Sequence, residues 1–587
     1  MGTLVRGFFG GVPAVAVIAL ACCAPSARAA WGTEPVTVTP TTASIPLVEG
    51  CTDGAYGAFV AWQEEGSPGQ GVLRAQHLLA TGDLDPAWAS AGAIACSVVA
   101  ARSELVALPD RLGGVYLLWK EGLFLYATRL DLGGAVAPGW PARGRSLTGV
   151  FADSPRPSVI EDGANGFYAA WTNSAGHISA THLGPANTGA GGWPNGTRGI
   201  GPADTAYWPQ LALAPDGGIF IGWASASPDT DASPSAWRLR RLDSAGLNAA
   251  GWALEGVSFG SFHGELLGSP ARGSLLGLSP DGRGGVFLLI GNPVGTDPSN
   301  GALLENRLYR RGVDGESAPD WPQAGRVMQL GPAYYQSAGS HSDYSYSLLP
   351  DGRDGALVGV PVYYDHGTDF GFVRCDGAGQ WGFWYGAQVL VEGHEAALPG
   401  DGGLFLGSFY PTGAYGPYQP SAFVAISQSF TSSAWKGWTE YHHEPVIEWY
   451  GDVGLASTGD GGAVLFWSQV RERIGLFARR FNPAGEVTAV GPGSSPTMAL
   501  SGLRFVPGVG VRATVVLPGA DRARFELFDL AGRRIASQAI EAGVHAQREA
   551  PREDLTLEGT SALPSGLYFG RLVAGAHAIA GKLIVAR

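Results

Sequence analysis

Residues 211–224 read Leu-Ala-Leu-Ala-Pro-Asp-Gly-Gly-Ile-Phe-Ile-Gly-Trp-Ala: a short apolar run, a turn built on Pro215-Asp216-Gly217-Gly218, and a second apolar run ending at Trp223. Two apolar runs joined by turn residues form a β-hairpin. Degenerate copies recur along the chain. Their turn aspartates are Asp53, Asp110, Asp162, Asp216, Asp281, Asp351, Asp401 and Asp460, and each is followed by a closing apolar residue, in order Trp62, Trp119, Trp171, Trp223, Ile290, Val360, Phe409 and Trp467. Between hairpins, residues 237–242 alternate apolar and charged side chains as a third strand does, before the turn Asp243-Ser-Ala-Gly246. A second Trp signature then leads into a fourth strand, seen at Trp88, Trp140, Trp193, Trp252 and Trp321.

A hairpin alone is marginal in water, so such units become stable only by stacking their faces on one another. A period of about 50 residues with strand chemistry is the signature of propeller blades. The expectation is an all-β chain: an eight-bladed β-propeller over residues 30–490, with seven blades as the alternative. Trp31 precedes Asp53 at the interval that separates the other second-signature tryptophans from the next turn aspartate, whereas the last repeat has no such Trp after it. Residues 31–39 should therefore supply the outer strand of the last blade and close the ring.

Composition agrees. The 90 Gly and 40 Pro would suit disorder, but 45% hydrophobic residues and 18 Trp supply a core, so the Gly and Pro belong to turns. A net charge of −13 without a basic stripe excludes a nucleic-acid partner. At the N-terminus, Arg6, the apolar residues 8–21 and Ala27-Arg28-Ala29 make a signal peptide over residues 1–29, with cleavage after Ala29. Cys51, Cys96 and Cys375 then remain. Cys51 falls on an innermost strand and Cys96 on an outermost one, too far apart for a disulfide, so free buried thiols are expected and no zinc site.

Gly491-Pro-Gly-Ser-Ser-Pro-Thr497 reads as a linker. Beyond it, in residues 498–587, strands are expected at 512–517, 523–530, 534–540, 567–573 and 578–585, a small immunoglobulin-like β-sandwich. Three motifs in this tail, Phe528-Asp529-Leu-Ala-Gly532-Arg533-Arg534, Leu563-Pro-Ser-Gly566-Leu-Tyr568 and Lys582-Leu-Ile-Val585, resemble the type IX secretion C-terminal sorting domain and the related Ig-like domain of flagellar hook-capping proteins. The chain departs from that pattern where Phe505-Val-Pro-Gly508 replaces an Asn-Pro opening. The resemblance implies export across an outer membrane, with Asp529, Gly532, Arg533, Gly566, Tyr568 and Lys582 as the sorting motif and the secretion machinery as a partner. The repeats are similar to those of secreted bacterial proteins in which Asp-Gly blades precede such tails. That similarity implies no particular activity.

The Asp-Gly turns are short, and their carboxylates are expected to bond local backbone amides. The expanded segments, 291–301, 331–341, 361–371, 410–421 and 436–450, all fall on the opposite face. Loops on a rigid scaffold carry function, and these are rich in Tyr and Trp, which join contact area to a polar handle. Tyr364, Asp365, His366, Tyr415, Tyr441 and His442 are the candidate ligand-binding residues. No nucleophile elbow, phosphate loop or zinc-protease helix is present, so no catalytic residue, metal or cofactor is expected. The favoured reading is a monomeric, secreted or cell-surface, non-enzymatic binding propeller with an extracellular glycan or protein ligand. The alternative is a hydrolase or lyase acting on extracellular polysaccharide.

Overall fold

A computed structural model describes residues 31, 35–150, 157–200, 205–226, 235–262, 275–297, 301–328, 336–337, 347–351, 354–364, 367–382, 385–387, 395–397, 404–411, 418–425, 439–442, 450–458, 462–469 and 475–481, then 499–506, 510–516, 523–529, 533–540, 552–557, 559–564, 566–574 and 577–585. The chain divides into two compact units, Met1–Ala489 and Val490–Arg587.

Among the described residues, the first unit holds eight antiparallel sheets in chain order, each with at least four strands, here lettered a to d. In sheet 1 these are Ser44–Thr52, Ala58–Ser67, Gln70–Leu78 and Ala93–Ala100. Sheets 2, 3, 4, 6 and 7 repeat the order over 103–149, 158–200, 205–262, 347–387 and 395–442. Sheet 5 comprises Leu275–Pro280, Val286–Asp297, Gly301–Arg311 and Arg326–Val327, with Gln336–Ser337 added beside strand c.

Sheet 8 takes strands a to c from Tyr450–Ser457, Ala463–Gln469 and Gly475–Phe481, and its fourth strand, Val36–Thr39, from the other end of the sequence. Val36 pairs with Ala478 and Thr37 with Phe477, as the register of Trp31 requires.

Where side chains are described, the sheets are apolar on both faces because they are buried between neighbours. In sheet 4, the strand b residues Ile219, Phe220, Ile221 and Trp223 are all fully buried. The resulting cores lie between sheets. Phe220 and Trp237 of sheet 4 pack with Leu288 and Ile290 of sheet 5. Equivalent clusters join sheets 1 and 2, 2 and 3, 3 and 4, and 5 and 6. A further cluster joins Val464, Phe466 and Leu476 of sheet 8 to Val48, Val60 and Trp62 of sheet 1, with Trp31 beside them. Successive sheets stacked face to face, the last returning to the first, make a β-propeller. At that closure Gly50 is required by space, since a Cβ there would lie 2.8 Å from the Phe466 ring.

The second Trp signature is a staple between sheets. Each of these tryptophans is buried. The indole N–H of Trp88 donates to Leu132 O at 3.0 Å, that of Trp140 to Pro185 O at 2.9 Å, that of Trp252 to Val313 O at 2.8 Å and that of Trp321 to Gly377 O at 3.1 Å. In these four the acceptor lies in the c–d turn of the following sheet; Trp193 packs its ring on Gly246 of that turn without such a bond. Trp31 donates in the same way to Ala80 O of sheet 1, at 3.2 Å.

Three segments expected as loops are strands. Residues 291–297 extend strand b of sheet 5 and pair as far as Asp297 with Gly301. Residues 361–364 and 367–371 pair across a hairpin in which Tyr364 meets Gly367, and residues 410–411 pair with 418–419. Gly, Pro and Tyr in these stretches read as loop residues, but a strand continued past the body of its sheet keeps its ladder partner, so backbone pairing continues.

The second unit pairs Ala499–Val506 and Arg552–Leu557 with either side of Gly510–Val516 in one sheet. Arg534–Ile540, Ala523–Asp529, Gly566–Ala574 and His577–Val585 form the other. Val511 and Leu557 of the first share a core with Phe525, Leu527, Leu572 and Leu583 of the second. The sequence reading lacked strands 499–506 and 552–557, the latter because its opening Arg-Glu-Asp looks like solvated loop.

Candidate functional site

The two ends of the ring differ in chemistry, and the turn end is the better defined. Each described turn aspartate accepts backbone N–H groups with one oxygen. Asp162 Oδ1 takes Ala164 N at 2.7 Å and Gly166 N at 2.9 Å, and Asp281 Oδ1 takes Arg283 N at 2.8 Å and Gly285 N at 2.7 Å. These are the local amide bonds expected of turn formers.

The second oxygen does something the sequence reading missed. It holds a basic side chain from the end of strand c: His77 Nε2 on Asp53 at 3.1 Å, Arg129 Nη2 on Asp110 at 2.6 Å and His182 Nε2 on Asp162 at 2.9 Å. Arg241 sits on Asp216 at 2.7 Å, Arg310 on Asp281 at 2.8 Å and Arg374 on Asp351 at 2.7 Å. The signal was present, since in each case a His or Arg precedes the residue that ends strand c. Only the cross-strand register brings it to the turn.

In sheets 1 to 5 an aromatic residue of strand b lies directly across from that basic residue. Tyr168 stacks on His182 with ring centroids 3.8 Å apart, and the Arg310 guanidinium lies 5.2 Å from the Phe287 ring centre. Burial opposes ionisation of Asp162, but bonds from His182, Gly166 and Ala164 outweigh it and hold the carboxyl below its ordinary range. Burial likewise disfavours the charged form of His77, yet Asp53 and Asp85, on its two ring nitrogens, raise it above the ordinary imidazole value. These carboxylates are engaged by backbone amides and by a basic side chain, and so they brace the turns. Cys51, Cys96 and Cys375 are free and buried, and burial pushes the Cys51 thiol well up and that of Cys375 up to about 12. Thiols so held are poor nucleophiles. Among the described residues no group of three or more His, Cys, Asp or Glu could hold a metal ion.

The opposite end carries the b–c hairpins and the d–a connections. Strands b and c of sheet 5 run 12 and 11 residues, against 6 and 6 in sheet 3, so among the described strands this hairpin is the longest. Gln336–Ser337, from the connection to sheet 6, pairs with Leu304 and Leu303, turning this part of the ribbon into three strands. Tyr364 ends strand b of sheet 6. Tyr441 and His442 lie on Thr439–His442, the outermost strand of sheet 7, opposite Ala422 and Ser421. They are therefore strand residues at the sheet edge, not loop residues as expected: the 436–450 segment supplies the fourth strand that its sheet needs. Asp365, His366 and Tyr415 lie outside the described residues.

Of the tail motif, Asp529 and Arg533 form a closed turn. Arg533 N donates to Asp529 Oδ1 at 2.9 Å and its guanidinium to Oδ2 at 2.8 Å. Tyr568 is buried and donates to Pro564 O at 3.1 Å. Gly566 starts its strand and Lys582 lies on the last one, opposite Phe569. Gly532 lies outside the described residues.

No family model matches the chain, and no curated protein matches it. Solved structures resemble it loosely. A protein of unknown function from Dyadobacter fermentans is 9% identical, with a TM-score of 0.32 over 65% of this chain and 94% of that one. A polysaccharide lyase, Uly1, is 10% identical, with a TM-score of 0.36 over 63% and 88%. A fucose-specific lectin from Aleuria aurantia is 11% identical, with a TM-score of 0.30 over 56% and 90%. Likeness this loose does not bear on activity; the propeller is read from the chain's own sheets.

Proposed function

We propose that this chain is a secreted or cell-surface, monomeric, eight-bladed propeller that binds an extracellular glycan or protein without chemically changing it, and that its C-terminal unit is an Ig-like domain used for export through a type IX route. The observation that carries the binding reading is the long hairpin of sheet 5, reinforced by Gln336–Ser337. Ordering a long ribbon costs conformational entropy, about 1–2 kcal/mol per residue for backbone alone, and a third strand that stiffens it suits a recognition surface. The absence of charge at Tyr364 and Tyr441, and their place at this end of the ring, fit contact with sugar rings or protein surfaces.

A glycan and protein binding screen on residues 30–587, with product analysis of every glycan bound, tests this reading. Binding without cleavage is expected, weakened at least tenfold by Tyr364→Ala with Tyr441→Ala. Depolymerisation of a bound polysaccharide would replace it with the hydrolase or lyase reading. Export is tested separately, by deleting residues 498–587 in a host with that secretion route. A folded propeller retained in the periplasm is expected, and normal surface delivery would refute the sorting role.

A further inference from the structure

A groove of about 660 Å³ lies between sheets 4 and 5, away from the b–c hairpins, and we propose that it is a second binding site, for a short neutral oligosaccharide. The internal repeat locates it. The last residue of strand c pairs with the first of strand b in every sheet. That residue is Leu78, Leu130, Leu183, Leu242, Cys375, Ala425 and Phe481 in seven of them, but Arg311 in sheet 5. A guanidinium where the fold elsewhere uses a small or apolar plug has no role in the shared architecture.

Arg311 is only 5% exposed, and its Nε has no hydrogen-bond partner. One terminal nitrogen bonds Ser317 Oγ and the other donates to Gln323 O at 3.0 Å, while the guanidinium carbon lies 4.8 Å from the Phe259 ring centre of sheet 4. The side chain thus fixes one wall of the groove against the neighbouring sheet. No carboxylate lies within ion-pair distance of it among the described residues. Its hydrogen bonds go to neutral oxygens, and Glu316 acts on it only at longer range, so burial of this cation is costly and only partly offset.

The groove's chemistry selects the ligand class. Its floor is the nearly buried rings of Trp252, Phe259 and Tyr309. Two guanidiniums, Arg307 and Arg311, face three carboxylates, Glu305, Asp314 and Glu316. Arg307 is tied to Glu305 at 2.5 Å and donates to Ala324 O at 3.0 Å, which holds it in place. Guanidiniums only donate and carboxylates only accept, so a ligand filling the groove must offer both donors and acceptors. An anion would use the two arginines and meet three carboxylates; a cation would meet the reverse conflict. Hydroxyl groups donate and accept, and the volume falls within the roughly 300–1,000 Å³ typical of small-ligand sites.

The test uses the full chain on an array of neutral, uronate-bearing and sulfated oligosaccharides, followed by titration calorimetry with the best neutral binder. Arg307→Ala, Glu316→Gln and Arg311→Leu should each weaken neutral-sugar binding at least tenfold, while Tyr364→Ala with Tyr441→Ala should leave it unchanged. Arg311→Leu restores the residue of four other sheets; if it fails to fold, the exposed Glu316 and the half-buried Arg307 still decide the matter. Failure of every neutral sugar to bind at millimolar concentration, binding confined to charged sugars, or affinity unchanged in Arg307→Ala and Glu316→Gln would overturn the proposal. Loss only in the double Tyr variant would assign any sugar binding to the hairpin face instead.

Discussion

Replacing Trp31 by Ala tests how the ring is held shut. The strand that follows Trp31 is short, and its pairing with strand c of sheet 8 is interrupted between Thr37 and Thr39. Little backbone holds it. Trp31 itself is only 3% exposed and packs over Gly82, its indole N–H on Ala80 O at 3.2 Å. An indole takes roughly 200 Å² out of water, worth about 5 kcal/mol at 25 cal/mol per Å². A lost buried hydrogen bond adds about 1 kcal/mol, and partial collapse of the cavity subtracts, which leaves the usual Trp→Ala range of about 3–5 kcal/mol.

The same change at Trp140 removes an equivalent staple inside the ring, where the chain is continuous on both sides. The two variants should therefore lose similar stability but differ in where it is lost. A long array of sheets need not unfold in two states, so native-state hydrogen exchange is the proper assay. Trp31→Ala should expose the amides of 476–478 and of strand a of sheet 1, while Trp140→Ala should affect only sheets 2 and 3. A cost below about 1 kcal/mol at Trp31, or unchanged protection at 476–478, would refute the view that this residue closes the ring.

Two further predictions concern the turn end. Asp162, with a side chain 7% exposed and three partners, should cost about 3–5 kcal/mol on Asp162→Ala, because His182 is left buried without its carboxylate and the amides of Ala164 and Gly166 lose their acceptor. Asp216→Ala, at 46% exposure, should cost about 1 kcal/mol, and equal denaturation midpoints for the two variants would refute the pairing argument. His77 has its folded-state proton affinity raised, so its contribution to stability is complete below the unfolded value of about 6.5 and is lost as pH rises through the higher folded value. Asp162, shifted down, contributes above the unfolded carboxylate value and loses that contribution as pH falls through its folded one. Proton NMR titration of the His77 ring should give a midpoint above 6.5; a lower one would show that desolvation outweighs Asp53 and Asp85.

What the sequence determined by itself is what depends on local chemistry and period. The Asp-Gly turns, the buried strand b tryptophans, the free thiols and the membership of Trp31 in its series are all legible because each rests on residues within one repeat or on a fixed interval between repeats. The tertiary structure decided what depends on register across strands and on packing between sheets. The turn carboxylates needed His77, Arg129 or Arg241 from about twenty residues away, and no local pattern states that these basic side chains lie beside them. Tyr441 and His442 looked like loop residues because nothing near them in sequence reveals that their sheet lacks a fourth strand. Arg311 was one arginine among many until alignment of the paired strands placed it where other sheets carry an apolar residue. A side chain's type is written in the chain, but its neighbours are set by the register of the sheet and by the sheet stacked beside it.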